Sequence, residues 1–125
     1  MSATSESYEP TPEERQIVES YIPPNQKRIN ISFHANIFLG NKKYQNGIVA
    51  LTEHFIITIA KGFMGGYKLL QIFHIIDISH IEVTQSIEMQ IEFSNNQILK
   101  LYSTAVINFT RSLLRNCVFG LPLYP

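Results

Sequence analysis

The sequence predicts a mainly β domain: a seven-stranded, two-sheet barrel capped by a C-terminal α-helix and preceded by a short N-terminal helical extension. Three observations carry this expectation. From residue 29 apolar and polar residues alternate with a period of two, the mark of a half-buried strand. Clusters of turn-forming residues interrupt that pattern at short, regular intervals as far as residue 102. After Ser103 the apolar spacing changes to three and four, which is helical. A chain of 125 residues is the length of one domain with a real core.

The elements follow in order. Residues 1–10 are mostly Ser, Thr, Glu and Pro with little to bury, and are expected to be disordered. The domain is expected to span 11–125. Thr11-Pro12-Glu13-Glu14 reads as a capping box, in which the Thr side chain accepts the amide of Glu14 and Glu14 reaches back. A helix over 11–22 should follow, buried through Ile17, Val18 and Tyr21, and should stop before Pro23-Pro24.

The strands are expected between residues 28 and 102. Ile29, Ile31, Phe33, Ala35 and Ile37 alternate with Asn30, Ser32, His34 and Asn36, which gives the first. Residues 40–46 read as a loop on turn chemistry; 47–51 and 55–60 are two further strands around the turn at Thr52-Glu53-His54. Residues 61–66 hold three glycines, costly inside a strand, and form the next loop before a fourth strand over 67–73. Residues 77–83, 87–93 and 97–102 complete a group of three, so the expected arrangement is one sheet of four strands and one of three. The last helix is expected over 104–119, with Phe109, Leu113 and Cys117 on its apolar face and Gly120 and Pro122 ending it.

Composition narrows the function classes. No run approaches the roughly 20 apolar residues that cross a bilayer. The N-terminal sequence has no basic-then-apolar leader pattern, and a lone Cys117 makes no internal disulfide, so an intracellular, reducing compartment is expected. Net charge is zero but uneven: residues 23–73 carry six bases against Glu53. That favours an anionic partner and falls far short of a nucleic-acid-binding surface. There is no nucleophile elbow, P-loop or paired-carboxylate pattern, so no catalysis is expected and no cofactor. His74, Asp77 and His80 are spaced by three, but their neighbours Ile75, Ile76, Ile78 and Ile81 read as strand and no further ligand completes a metal set.

Three stretches carry a resemblance: Asn46-Gly47-Ile48-Val49-Ala50-Leu51-Thr52, Ile75-Ile76-Asp77-Ile78-Ser79-His80-Ile81, and Leu114-Arg115-Asn116-Cys117-Val118-Phe119-Gly120-Leu121-Pro122. They resemble the N-terminal pleckstrin-homology (PH) domain of the CARMIL family of actin-regulatory, leucine-rich-repeat scaffold proteins, over residues 11–125. The resemblance implies a PH-like barrel with an N-terminal helical extension, in a family where a leucine-rich-repeat solenoid follows and distal segments regulate actin capping protein. It also implies a cytoplasmic, peripheral-membrane or cell-cortex setting. PH domains usually carry a Trp in the last helix; this chain has none, and Phe109 is the candidate for that place.

Phosphoinositide-binding PH domains grip the head group through a basic pattern at the first loop. Here that loop offers Lys42 and Lys43 followed by Gln45 and Asn46, with no arginine to supply a bidentate phosphate fork. Stereospecific inositol-phosphate binding is therefore disfavoured. The loop bounded by Lys61 and Lys68 places Phe63 and Met64 among glycines, a pattern suited to shallow insertion into an anionic membrane surface. The expected lipid-contacting set is Lys42, Lys43, Lys61, Phe63, Met64 and Lys68, binding weakly and with low specificity. The alternative is a protein-docking module with no lipid binding.

Overall fold

The computed structural model describes residues 9–26, 28–62 and 64–117. The expected tail over 1–10 falls almost wholly outside them, as do the Cys117 side chain and the helix end at residue 119. Thr11 starts α1 (Pro12–Tyr21) with both bonds of a capping box. The Thr11 hydroxyl accepts from the Glu14 amide at 3.2 Å, and Glu14 Oε1 accepts from the Thr11 amide at 2.9 Å. Pro12 sits in the first turn, where an amide would have no helical partner.

Seven strands follow: β1 (Ile31–Leu39), β2 (Lys42–Leu51), β3 (Phe55–Lys61), β4 (Tyr67–His74), β5 (Ile78–Thr84), β6 (Glu88–Phe93) and β7 (Ile98–Tyr102). The chain ends its described part in α2 (Val106–Cys117). All strand pairs are antiparallel. The two-sheet expectation is corrected in one respect: the strands form a single sheet in the order β4-β3-β2-β1-β7-β6-β5. The join is β1, whose residues 36–39 pair with β7 (Asn36 with Tyr102, Leu39 with Leu99) while its whole length stays with β2.

A bulge lets β1 serve both neighbours. Ala35 faces Gly47 and Ile37 faces Tyr44, so Gln45 and Asn46 together oppose Asn36. Asn46 takes φ 56, and its amide donates to Asn36 Oδ1 at 3.0 Å. The extra residue bends and twists the strand, which curls the sheet into a barrel. Gly47 beside it is tightly enclosed: a Cβ there would meet Ile37 Cδ1 at 2.6 Å and the Ile59 carbonyl at 2.8 Å.

Inside the barrel lie Phe33, Ile37, Leu51, Met89, Leu99 and Leu101, and α2 packs onto them through Val106, Phe109 and Leu113. Phe109 meets Phe33 with ring centroids 5.0 Å apart. A second apolar cluster lies on the outer face, where Val18 and Ile22 cover Ile48, Ala50, Ile57 and Ile59. Burial on both faces explains why 48–51 is an unbroken apolar run and why 56–60, apolar except for the buried Thr58, does not alternate. Antiparallel pairing puts the β1–β2, β3–β4 and β6–β7 turns at one end, called the mouth below, and the β2–β3 and β5–β6 turns at the end from which α2 departs.

Candidate functional site: the lysine-bearing mouth of the barrel

Lys42 and Lys43 are the first two residues of β2, opposite Leu39 and Phe38. The expected loop over 40–46 is thus replaced by a two-residue turn at Gly40 and Asn41. Gly40 takes φ 60, the backbone that tight hairpins demand and side chains resist. Because side chains alternate along a strand, the two lysines diverge. Lys42 shares the face of Tyr44, which packs against the core; Lys43 shares the outer face of Phe38, with its ammonium 5.6 Å from that ring centroid.

The β3–β4 hairpin holds the second pair. Lys61 ends β3 opposite Tyr67, and Lys68 lies opposite Ala60. The turn beyond is closed by Gly62 donating to the Gly66 carbonyl at 2.7 Å and Gly65 donating to the Gly62 carbonyl at 3.0 Å. Met64 stands 85% exposed at its tip. Phe63, expected to accompany it, lies outside the described residues. The Lys61 ammonium sits 6.0 Å from the Tyr67 ring on the α1 side, while Lys68 shares the face of Leu70, which packs toward the core. The four lysines therefore share one end of the barrel but not one face.

Between the hairpins the mouth opens as a cleft of about 700 Å³ whose walls include Asn41, Gln71, Gln90, Gln97 and Lys100. Its polar lining is mostly carboxamide, set among Phe38, Leu39 and Ile98. Gln71 and Gln97 bond to each other in both directions, at 2.7 and 3.1 Å, and so fasten β4 to the β6–β7 turn. Lys100 was not among the expected site residues. The β1–β7 register places it opposite Phe38, with its ammonium 5.9 Å from the ring centroid and 3.1 Å from Glu88. That hydrogen bond from Lys100 holds the Glu88 carboxyl below its usual value. No local signal in the sequence links positions 38, 43 and 100; their grouping follows from strand order alone.

Just outside the mouth, Glu14 anchors α1 to the sheet. The residue is 7% exposed, and its carboxylate lies 2.9 Å from His34 Nε2 on β1 and accepts from the Tyr67 hydroxyl on β4 at 2.6 Å. Burial alone would raise this carboxyl, yet the bonds from Tyr67, the Thr11 amide and His34 outweigh it and hold the group below its ordinary value. Burial, and then the hydrogen bond to Glu14, push the Tyr67 phenol up to about 12. Of the three residues weighed for metal binding, His74 closes β4, Asp77 lies in the 3₁₀ turn at Ile75–Asp77 and His80 points from β5.

This arrangement is a PH-like fold, mainly β with a C-terminal helix. No family model and no curated protein matches the chain. Solved structures do resemble it. One is the C-terminal domain of an unknown protein from Leishmania infantum, 14% identical, with a TM-score of 0.56 over 71% of this chain and 83% of that one. Another is Vav1, a PH-containing protein solved with an allosteric inhibitor, 9% identical, with a TM-score of 0.58. The match covers 71% of this chain and 26% of Vav1, so the chain spans about a quarter of that protein's length. Identities this low speak to the fold alone.

Proposed function

We propose that the chain is a non-catalytic module that brings the mouth end of its barrel onto anionic membrane surfaces, weakly and with little headgroup specificity. The observation that carries this reading is Met64, 85% exposed at a hairpin tip whose two strands bring Lys61 and Lys68 to the same end. An apolar tip enters the headgroup region while each cation near the surface adds about 1 kcal/mol. The cleft in the mouth, where Lys100 is already bonded to Glu88, offers no guanidinium fork for a polyphosphate head group. The resemblance of its sequence to the CARMIL-family PH domain supports a setting at the cell cortex, as the front module of a larger actin-regulatory leucine-rich-repeat scaffold.

Co-sedimentation with vesicles of rising phosphatidylserine content tests this. The bound fraction should rise with anionic lipid, fall with salt and differ little among phosphoinositide isomers. Lys61→Glu with Lys68→Glu should abolish binding, Lys42→Glu with Lys43→Glu should weaken it, and Phe63→Ser with Met64→Ser should weaken it most in high salt. Wild-type protein that ignores anionic vesicles would overturn the proposal. A protein-docking module is then the second reading, favoured by one observation: among the described residues β5 pairs with β6 alone, and Ser79, His80 and Glu82 along it are exposed. An extended peptide adds to such an edge.

A further inference from the structure

At the end of the barrel opposite the lysines, three separate elements enclose a cleft of about 530 Å³. The β2–β3 turn supplies Glu53, His54 and Phe55, the end of β4 and the 3₁₀ turn supply His74, Ile75 and Ile76, and the end of α2 supplies Arg115 and Asn116. Hydrogen bonds tie these walls together. The Ile75 amide donates to the His54 carbonyl at 2.9 Å, and Asn116 Nδ2 donates to the Thr52 carbonyl at 2.9 Å. Thr52 Oγ1 accepts from the amides of Phe55 at 3.0 Å and His54 at 3.3 Å, which sets the turn. The cleft is therefore preformed, and its volume is that of a ligand site, about 300–1,000 Å³.

Its chemistry is split between floor and rim. Phe55 and Ile75 make an apolar floor, and Ile76 beside them is 70% exposed, a large aliphatic side chain that folding leaves in water. His74 stands edge-on to Phe55 at a centroid distance of 4.7 Å and His54 at 6.4 Å. Among the described residues Arg115 holds the only fixed positive charge on the rim and no carboxylate lies within ion-pair distance of it; Glu53 lies instead 3.8 Å from His54.

We infer that this cleft binds a peptide that carries an acidic side chain next to a branched aliphatic one. The carboxylate meets the Arg115 guanidinium as a charge-assisted pair. The aliphatic side chain covers Ile76 and rests on Phe55 and Ile75. The imidazoles and the Asn116 carboxamide face the polar main chain that runs between them. This site is separate from the lysine-bearing mouth, and neither proposal depends on the other.

The test uses the whole chain, labelled with nitrogen-15 and titrated with acetyl-Gly-Leu-Glu-Leu-Gly-amide and with the same peptide bearing Lys in place of Glu. The acidic peptide should give saturable shifts at the amides of Glu53, His54, Phe55, Ile75, Ile76 and Arg115. Arg115→Glu and Ile76→Ser should each weaken it by about tenfold or more, the scale of an interface anchor, without lowering the melting temperature, since both side chains are exposed. Three results overturn the inference: no saturable shift, equal shifts with the Lys peptide, or shifts that map to the mouth or to β5. Anionic vesicles whose binding is lost in Arg115→Glu, with no peptide effect, would reassign the cleft to lipid and also overturn it.

Discussion

The Tyr67 hydroxyl donates to Glu14 Oε2 at 2.6 Å, joining β4 to α1 across 53 residues of sequence. Glu14 is at the same moment half of the α1 capping box and the partner of His34. One carboxylate thus fixes where the helix starts and where it sits. Glu14→Ala should cost about 2–3 kcal/mol, because it strands the partly buried Tyr67 and His34 groups as well as removing half of the cap. Thr11→Ala removes the cap alone and should cost about 1 kcal/mol. Urea denaturation of both variants checks the difference; equal losses would mean that the Tyr67 and His34 bonds contribute nothing.

The same pair gives stability a pH dependence of opposite sign at each extreme. Glu14 has a folded value below 4.5, so its contribution is complete above that pH and is lost as pH falls through the lower folded value. Tyr67 has a folded value raised from 10.0 to about 12, so its contribution is complete below pH 10 and is lost as pH rises toward 12. Denaturation midpoints measured across that alkaline window should drop more steeply for wild type than for Tyr67→Phe.

Gly47 has no room for a methyl group between Ile37 and the Ile59 carbonyl. Gly47→Ala should therefore destabilise the domain by about 2 kcal/mol through overpacking, although alanine is ordinarily no worse in a strand than glycine. Thermal unfolding of the variant decides it, and an unchanged midpoint would show that β2 shifts freely at the bulge.

The paired carboxamides of Gln71 and Gln97 are the polar link from β4 to the β6–β7 turn. In a double-mutant cycle with Gln71→Leu and Gln97→Leu the two changes should couple by about 1 kcal/mol, as contacting residues in one network do. Strict additivity would show that solvent takes over both amides without loss.

Much of this architecture is legible in the residues because local forces set it. The period of two in β1 and the Thr11 cap each depend on a handful of neighbouring side chains. Lys42 to Asn46 reads as loop because charged and amide residues suit turns, yet pairing with β1 overrides that preference and Gly40-Asn41 suffices to reverse the chain. The single sheet was missed because it rests on the register of β1 against β7, which no local pattern encodes. At the mouth, Lys61, Met64 and Lys68 could be read from one hairpin, whereas Lys100 and the Gln71–Gln97 clasp come from strands remote in sequence.

The bulged strand β1 has a kinetic consequence. The hairpins of β1 to β4, and of β5 to β7, close between near neighbours, so each can form early and independently. Strand pairing joins them through β1 and β7, from Leu39 with Leu99, 60 positions apart, to Asn36 with Tyr102. Long loops close slowly and their contacts arrive late. Assembly of the barrel is therefore gated by β1 finding β7, and a growing chain cannot complete it until the segment through Tyr102 has been made.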